Sequence, residues 1–514
     1  MPQSLVDWNS PKISELLVHL DEIIREDRSR PPAYRFIDFG GVVGQLTSKT
    51  NHVVFGRRGA GKSVLLRELE KRVAGAKTKT ILVDIESIAQ KSYPNLIIEI
   101  LLIIFRDLLT QVETGFFSKL IKGDLAKRIR SAINQLETLR RRADTSKHIV
   151  SDQTQKTLGR EFGEELTIIT NILKLAAKVS DSKAVVSEEK FEETFDKIRV
   201  LFNNIGDYRK LIGESLRNVK IETLYILVDD FYQIDSLHQP LVADYLKRLF
   251  RGIPCYLKIA TARNRSLLFV KDDLSEAGLQ AEQDYRSVDL DLSLDDFQRA
   301  KDFLSAVLQN IFEQKLSPLT PDALFDFSGT SGLTTLTEAS GGNPRDFINI
   351  LRVAVYAKKL SGTRTPITYQ DICSAAISYH KTLVRDTERS YANFEILDTL
   401  LGEVIVVCQN NSDIGFYVTR KDTRDYPAIH SLIGQLVDCR FLHILTHTYN
   451  APMQEGIATV YILPMAIYTE FLPNTSLADR RMSQKSYTGL ALNEISKKFP
   501  ELSLELELMG KAAN

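Results

Sequence analysis

The sequence predicts an α/β fold in which helices cover both faces of a parallel sheet, with further helical segments after it. Short apolar runs without polar alternation recur through residues 35–296, as expected for strands that are buried on both faces. Helical stretches separate these runs, which favours parallel crossover connections. A glycine-rich turn at Gly56–Ser63 joins the first run to an amphipathic helix over Lys62–Val73.

Five strands are predicted for this sheet, and each is an apolar run flanked by polar or glycine residues. They are His52–Phe55, Thr80–Ile85, Thr223–Val228, Tyr256–Ala260 and Ser287–Leu290.

The composition is that of a globular protein with more than one domain. The chain has 514 residues, of which 43% are hydrophobic, and this length exceeds what a single hydrophobic core usually organises. Its 66 basic residues balance 66 acidic ones, so a nucleic-acid contact would require a local basic patch. The four cysteines form no CxxC pair, and the longest apolar run, Leu96–Phe105, is far shorter than the ~20 residues of a membrane span. We expect a cytoplasmic protein without a membrane partner.

Changes in pattern along the chain predict five regions. They are an N-terminal helical segment (1–34), an α/β core (35–296) with a helical insertion at about 88–220, a helical lid (297–365), a winged helix-turn-helix (366–475) and a polar C-terminal tail (476–514).

The turn after the first strand carries the strongest functional signal. Its residues Gly56-x-x-x-x-Gly61-Lys62-Ser63 match the Walker A pattern, in which glycines let backbone N–H groups point at phosphate oxygens. The following helix directs its positive end to the same place, Lys62 reaches the β- and γ-phosphates, and the Ser63 hydroxyl binds Mg²⁺. The predicted nucleotide-binding residues are Gly56, Arg57, Arg58, Gly59, Ala60, Gly61, Lys62, Ser63 and Val64.

The third strand supplies the second part of a nucleotide site. It ends in Asp229-Asp230, which is the Walker B form. Asp229 is predicted to bind Mg²⁺ together with Ser63, and Asp230 to polarise the attacking water, where a glutamate is more usual. Asp84, at the end of the second strand, is the alternative base.

These motifs resemble the AAA+/STAND group of P-loop ATPases, in particular the origin-recognition initiator type with a C-terminal winged helix. The resemblance covers residues 35–475 apart from the insertion. It implies that Thr261 and Arg263 at the end of the fourth strand sense the γ-phosphate, and that Arg286 is an arginine finger acting on a neighbouring subunit. Arg345, in the sequence Gly-Gly-Asn-Pro-Arg, resembles the sensor 2 arginine of a lid helix. The glycine-arginine box of the family is absent, so adenine recognition has no assigned residues.

The winged helix would place a recognition-type helix at Tyr426–Val437 and wing strands at Phe441–Leu445 and Ala458–Leu463, around a polar loop Thr446–Gly456. The helix is nearly uncharged, with His430 and Gln435 as its polar contacts. The basic residues Arg420, Lys421 and Arg424 precede it and could meet phosphates. A DNA-binding and a protein-binding winged helix both remain open.

The resemblance implies an ATP-binding and ATP-hydrolysing switch or motor that uses Mg²⁺ and forms a homo-oligomer. DNA and a separate effector protein are the implied partners, and bacterial relatives of this layout imply a role in anti-phage defence. The alternative is a non-catalytic ATP-binding scaffold or a winged-helix DNA-binding regulator, which Asp230 in place of glutamate favours. A small-molecule kinase is disfavoured, because no compact arginine-rich lid follows the core.

Overall fold

The computed structural model describes residues 6–24, 36–91, 93–114, 119–141, 188–272, 275–316, 319–325, 332–384, 394–452, 455–473, 475, 477 and 486–499. These residues form two compact units. Of the described residues, the sheet unit contains those within 41–55 and 65–289, and the lid unit contains those within 6–40, 56–64 and 290–499. The glycine-rich turn therefore groups with the lid unit.

The sheet unit is built on a five-stranded parallel sheet and a separate antiparallel hairpin. Its strands are β1 (His52–Phe55), β2 (Thr78–Asp84), β3 (Thr223–Asp229), β4 (Cys255–Thr261), β5 (Phe269–Asp272), β6 (Ser275–Gly278) and β7 (Arg286–Asp289). The large sheet has the order β2-β3-β4-β1-β7 with all four pairings parallel. This confirms the predicted parallel sheet. The β5–β6 hairpin is additional, and its two four-residue strands are too short to leave a pattern in the sequence.

Helices connect and cover these strands. They are α2 (Val42–Leu46), α3 (Lys62–Val73), α4 (Asn95–Thr114), α5 (Lys119–Arg141), α6 (Glu188–Asn203), α7 (Ile205–Asn218) and α8 (Gln239–Phe250). The first turn of α3 groups with the lid unit. Short 3₁₀ turns occur at Phe231–Gln233 and Arg263–Arg265.

Helix α4 lies within the hydrophobic core of the sheet unit. Leu101 and Phe105 are fully buried in the same cluster as Val53, Ile226 and Ile259 of the strands. Within the predicted helical insertion, α4 therefore belongs to the core of the sheet unit. Apart from Glu99, which pairs with Arg140, the α4 run Leu96–Phe105 is apolar, so burial on most sides of this helix is favourable. Residues 142–187 of the predicted insertion lie outside the described residues.

The lid unit contains the remaining helices and a second sheet. Its first group is α1 (Pro11–Ile24), α9 (Phe297–Lys315), α10 (Gly332–Ser340), α11 (Pro344–Ser361) and α12 (Tyr369–Tyr379), with 3₁₀ turns at Leu294–Asp296 and Pro321–Leu324 and a π-helical turn at His380–Val384.

The second group of the lid unit, residues 394–499, is a helix–strand–helix–helix–hairpin arrangement that we call the C-terminal module. Its elements are α13 (Phe394–Asn410), β8 (Gly415–Thr419), α14 (Arg420–Asp425), α15 (Pro427–Asp438), β9 (His443–Ala451), β10 (Gly456–Ile462), α16 (Met465–Tyr468), β11 (Thr488–Gly489) and α17 (Leu492–Ser496). The strand order is β11-β8-β10-β9.

Two expectations for this module are corrected by the structure. The predicted polar loop Thr446–Gly456 is mostly strand, because threonine and tyrosine side chains suit a strand and Tyr449 pairs with Ala458 across the hairpin. The tail was expected to be peripheral, yet Leu492 and Ile495 are buried and β11 pairs with β8.

No helix in the described ranges has the length and apolarity needed to cross a membrane. The four cysteines, all of them described residues, form no disulfide bond, and three of them are buried.

Candidate phosphate-binding site

The turn between β1 and α3 adopts a backbone that requires glycine. Gly59 and Gly61 have φ angles of 89° and 93°, in the left-handed region that other residues rarely adopt. A Cβ atom on Gly59 would also lie 2.6 Å from Cβ of Arg345 and 2.7 Å from Oδ1 of Asn343. Gly59 is therefore needed both for the curl of the chain and for close approach of the lid helix α11.

Lys62 stabilises this turn from within. Its side chain is buried, and Nζ donates to the carbonyl oxygens of Gly56 at 2.7 Å and Arg57 at 3.1 Å. The backbone N–H of Ala60 donates to the same Arg57 oxygen. Helix α3 begins at Lys62, so the first N–H groups of that helix have no partner inside it. A buried ammonium and a helix N-terminus thus lie together at a curled backbone, which is an arrangement suited to a polyphosphate.

The start of helix α11 packs on this turn through Asn343. Its Oδ1 caps the helix by accepting from the backbone N–H groups of Arg345 at 3.0 Å and Asp346 at 3.2 Å. Its Nδ2 donates to the Arg58 carbonyl oxygen at 2.9 Å. One amide side chain therefore both begins the lid helix and fixes it against the phosphate-binding turn.

Arg57 and Arg345 differ in the number of hydrogen bonds and ion pairs that their side chains form with the described residues. Arg345 is half-buried beside Gly59, and its guanidinium forms no hydrogen bond or ion pair with any residue that the structure describes. Arg57 is 4% exposed and is held by Asp291, whose carboxylate accepts from its backbone N–H at 2.9 Å and from Nε at 3.2 Å. Both arginines are predicted site residues, but only Arg345 keeps a side chain available to a ligand.

The Arg57 guanidinium also contacts three other parts of the lid unit. Its NH2 group donates to the carbonyl oxygens of Leu292 at 3.3 Å and Gly341 at 3.1 Å. Its NH1 group lies 3.5 Å from Nδ1 of His443. No sequence pattern predicts these contacts, since Arg57 occupies a variable position of the Walker A pattern.

Within the sheet unit, acidic residues gather where β2 and β3 end. Asp84 and Asp229 are opposite each other in the parallel register, and Asp229 is buried. Asp230 follows with a φ angle of 54°, and its N–H donates to Oδ1 of Asp229 at 3.0 Å. Carboxylate oxygens of Asp84, Glu86 and Asp230 lie within 4.8 Å of one another. Carboxylates at this spacing can bind a divalent cation.

The structure thus places the alternative base Asp84 beside Asp230, and adds Glu86. Sequence reasoning missed Glu86, although its position two residues beyond the end of a parallel strand was a usable signal.

The remaining predicted site residues of the sheet unit form local contacts. Thr261 is fully buried at the end of β4 and shares a hydrogen bond with the Ser266 hydroxyl. Arg263 pairs with Asp289 at 2.9 Å and lies over the Phe55 ring. Arg286, the first residue of β7, pairs with Glu282, and both side chains are largely exposed. An exposed pair of this kind contributes little to stability, so Arg286 is accessible to another subunit at small cost.

Helix α15 in the C-terminal module is far less exposed than a recognition helix needs to be. Gln435 is buried, and His430 is half-buried with Nε2 at 3.3 Å from the Tyr461 hydroxyl. By contrast, Arg420, Lys421 and Arg424 of the short helix α14 are exposed. The basic side chains available to a nucleic acid therefore belong to α14.

No protein-family model matches the sequence, and no curated protein matches it significantly. Among solved structures, one similar chain comes from Drosophila ORC bound to DNA, with 10% sequence identity, a TM-score of 0.32, and coverage of 91% of this chain and 93% of that chain. Another is the Aeropyrum pernix ORC1 protein in complex with DNA, with 11% identity, a TM-score of 0.29, and coverage of 90% and 93%. At these values neither likeness assigns the chain to a family.

Proposed function

We propose that this protein binds ATP with Mg²⁺ at Gly56–Ser63 and hydrolyses it, acting as a nucleotide-dependent switch. The observation that carries the proposal is the turn itself, with two left-handed glycines and a buried lysine at the start of a helix. A curled backbone of this kind directs N–H groups inward, and the lysine adds a full positive charge. The site therefore favours a triphosphate over water.

The residues around the turn have different proposed roles in ATP binding and hydrolysis. Lys62 and the N–H groups of the turn hold the phosphate chain, and Ser63 offers a hydroxyl to Mg²⁺. The metal, when bound, neutralises charge that develops on the transferred phosphoryl group. Asp229 is the proposed second ligand and Asp230 the proposed group that orients water. Arg345 is the proposed γ-phosphate sensor, because its Cβ and Cδ atoms lie beside Gly59 and its guanidinium has no hydrogen bond or ion pair among the described residues.

The binding step is tested with a fluorescent ATP analogue and Mg²⁺ on wild type, Lys62→Ala and Lys71→Ala. Lys71 is the matched control, because it lies on the same helix and is largely exposed. We expect Lys62→Ala to weaken binding by at least about tenfold, corresponding to the loss of a buried charge-assisted contact. Lys71→Ala should bind as wild type does. Wild-type protein that fails to bind the analogue would contradict the proposal.

The hydrolysis step is tested by phosphate release from Asp230→Asn, Arg286→Ala and wild type. A slowed reaction with unchanged binding in Asp230→Asn supports an ATPase. Loss of turnover without loss of binding in Arg286→Ala supports the proposed homo-oligomer with an arginine finger. Tight binding without measurable hydrolysis in the wild type would instead favour the alternative, a non-catalytic ATP-binding scaffold or regulator.

For the C-terminal module we propose a winged helix that contacts a partner through α14 and the β9–β10 hairpin. The order helix–strand–helix–helix–hairpin and the exposed basic residues of α14 support this. Burial of α15 argues against base reading by that helix. Backbone contact with DNA is tested by anisotropy with a short duplex, comparing wild type with Arg420→Glu/Lys421→Glu. Unchanged affinity would favour an effector protein as the partner. A role in anti-phage defence stays a proposal from the sequence resemblance.

A further inference from the structure

A polar cleft of about 590 Å³ lies in the sheet unit between helices α5 and α7, and none of its lining residues belongs to the candidate phosphate-binding site. The two helices are also joined by an ion pair between Arg128 and Glu214 at 2.6 Å. Small-molecule sites in proteins have volumes of roughly 300–1,000 Å³. The cleft is therefore large enough to hold a small molecule.

One wall of the cleft is a polar face of α5. Six exposed lining residues follow one another at a spacing that places them on one side of the helix, and they are Lys127, Arg130, Ser131, Asn134, Gln135 and Thr138. The opposite side of α5 is buried, with Ile129 and Leu136 in the hydrophobic core. Because a surface helix normally has such a polar face, this wall by itself does not indicate a ligand.

A second observation comes from Tyr208 of α7, which also lines the cleft. Tyr208 is only 4% exposed and its ring contacts Phe105, yet its hydroxyl forms no hydrogen bond with any residue that the structure describes. Buried tyrosine hydroxyls normally have a partner. Burial, and to a smaller extent Asp207, raises the pKa of Tyr208 to about 12, so the hydroxyl keeps its proton. It is thus a donor available to a ligand oxygen in the cleft.

The charges in the cleft favour an anion. Lys127 and Arg130 are cationic, and none of the described lining residues is acidic. Lys127 forms no hydrogen bond or ion pair with any described residue. Arg130 pairs with Glu113, but the two side chains are 56% and 42% exposed, so a ligand anion can replace Glu113 at small cost.

The uncharged polar groups of the cleft suit hydroxyl groups on the same ligand. The side chains of Ser131, Asn134 and Gln135 have no hydrogen bond among the described residues. The Asn204 amide donates to the Val200 carbonyl oxygen at 2.7 Å, and its own oxygen is left to accept. Amides and hydroxyls both donate and accept, as sugar hydroxyls do, while a phosphate offers several oxygens to the two cations and to Tyr208.

We propose that the cleft between α5 and α7 is a binding site for a sugar phosphate, with Lys127 and Arg130 on the phosphate and Tyr208 donating to a ligand oxygen. The amides of the cleft contact the sugar hydroxyls. This site is separate from the proposed ATP site and does not depend on it.

The experiment uses ribose 5-phosphate as the probe and follows hydrogen exchange of the backbone amides. Millimolar ribose 5-phosphate should slow exchange of α5 and α7 amides, because a fragment of this size binds with about millimolar affinity. Ribose at the same concentration, which lacks the phosphate, should give no protection. The protection by ribose 5-phosphate should be equal in Lys62→Ala, since the phosphate-binding turn is not involved.

The variants Lys127→Gln and Tyr208→Phe test the two groups that have no described partner. We expect roughly tenfold weaker binding in Lys127→Gln, through loss of a charge-assisted contact, and roughly fivefold in Tyr208→Phe. Tyr208→Phe keeps the ring that contacts Phe105, so its melting temperature should not change. Lys210→Gln is the matched control, because Lys210 is an exposed lysine of α7 outside the cleft, and it should bind as wild type does.

Equal protection by ribose and ribose 5-phosphate, or equal affinity in Lys127→Gln and Lys210→Gln, would overturn the site. Protection by a short single-stranded oligonucleotide but not by ribose 5-phosphate would also overturn it, in favour of a nucleic-acid contact. Failure of the ATP analogue to bind wild type, with protection of α5 by ribose 5-phosphate retained, would overturn the proposed function alone.

Discussion

Two buried cations stabilise the segments on either side of strand β1, and they do so in chemically different ways. Lys258, in the sheet unit, holds the segment before β1: Nζ donates to the carbonyl oxygens of Ser48 at 2.9 Å and Thr50 at 2.7 Å. Arg57, in the lid unit, holds the turn after β1 through Asp291. Both side chains are almost fully buried.

The difference lies in the charge of the partners. Arg57 has a carboxylate beside it and cannot lose its proton. Among the described residues, the partners of Lys258 are neutral: two carbonyl oxygens, Nδ1 of His52 at 2.9 Å and the face of the Tyr225 ring. Burial lowers the pKa of Lys258 to about 7, and burial followed by the Lys258 charge lowers the pKa of His52 to about 4. The contacts of Arg57 are therefore independent of pH, whereas those of Lys258 depend on it.

The largest effect is expected from Asp291→Ala, which removes the carboxylate beside the buried Arg57. An uncompensated buried charge costs about 3–5 kcal/mol. Unfolding of the lid unit can be followed in urea by the fluorescence of Trp8, a buried residue of that unit and the single tryptophan of the chain. Asp289→Ala is the control, since Asp289 is half-exposed in its pair with Arg263. This substitution should lower the free energy of unfolding by less than about 1 kcal/mol. Equal losses in the two variants would show that Arg57 does not depend on Asp291.

The next largest effect is expected in the sheet unit, whose stability should depend on pH. Between pH 7 and 10.5 the folded Lys258 has lost its proton while the unfolded chain keeps it, so the unfolded state binds more protons. Stability therefore rises with pH in this window, by about 1.4 kcal/mol per pH unit for one proton. This rise of stability with pH is measured by native-state hydrogen exchange of the β1 and β4 amides, corrected for the intrinsic exchange rates.

Lys258→Met should abolish this slope, because methionine fills the site without a titratable group. Lys71→Met, at a largely exposed lysine, should keep it. A slope that persists in Lys258→Met would mean that another group of the sheet unit titrates there.

The smallest effect is expected from Tyr225→Phe. The Tyr225 hydroxyl donates to the Thr47 carbonyl oxygen, in the same segment that Lys258 holds. Removing this hydroxyl should lower the opening free energy of the β1 amides, measured by hydrogen exchange, by about 1 kcal/mol. The dependence of that free energy on pH should not change. Tyr256→Phe is the control, with a neighbouring ring whose hydroxyl has no hydrogen bond among the described residues. A changed slope in Tyr225→Phe would show that the ring position, and not only burial, sets the Lys258 pKa.

Sequence reasoning succeeded where the signal is local. The strand before Gly56 and the helix from Lys62 are where the pattern predicts them, because the glycine turn separates an apolar run from an amphipathic one. It was incomplete where short strands or polar side chains decide the structure, as at β8 and in the Thr446–Gly456 segment. Pairing with a neighbouring strand compensates for weak local preference there.

In the candidate site, too, local motifs were predictable from the sequence and contacts between distant segments were not. The Walker A residues and the sensor-type Arg345 could be named from the motifs, but which of Arg57 and Arg345 keeps its side chain available to a ligand could not, because that depends on partners distant in the chain. The structure separates them by their partners: Asp291 occupies Arg57, while Arg345 beside Gly59 has no described partner.

The sequence by itself determined the parallel sheet, the curled turn at Gly56–Ser63 and the helix that follows it, because backbone geometry and hydrophobic periodicity depend on residues a few positions apart. Only the tertiary structure decided that Arg57 meets His443, nearly four hundred positions later in the chain, and that the buried Lys258 has no carboxylate partner among the described residues. Those contacts are fixed by packing between distant segments, and packing also sets the desolvation that shifts a pKa.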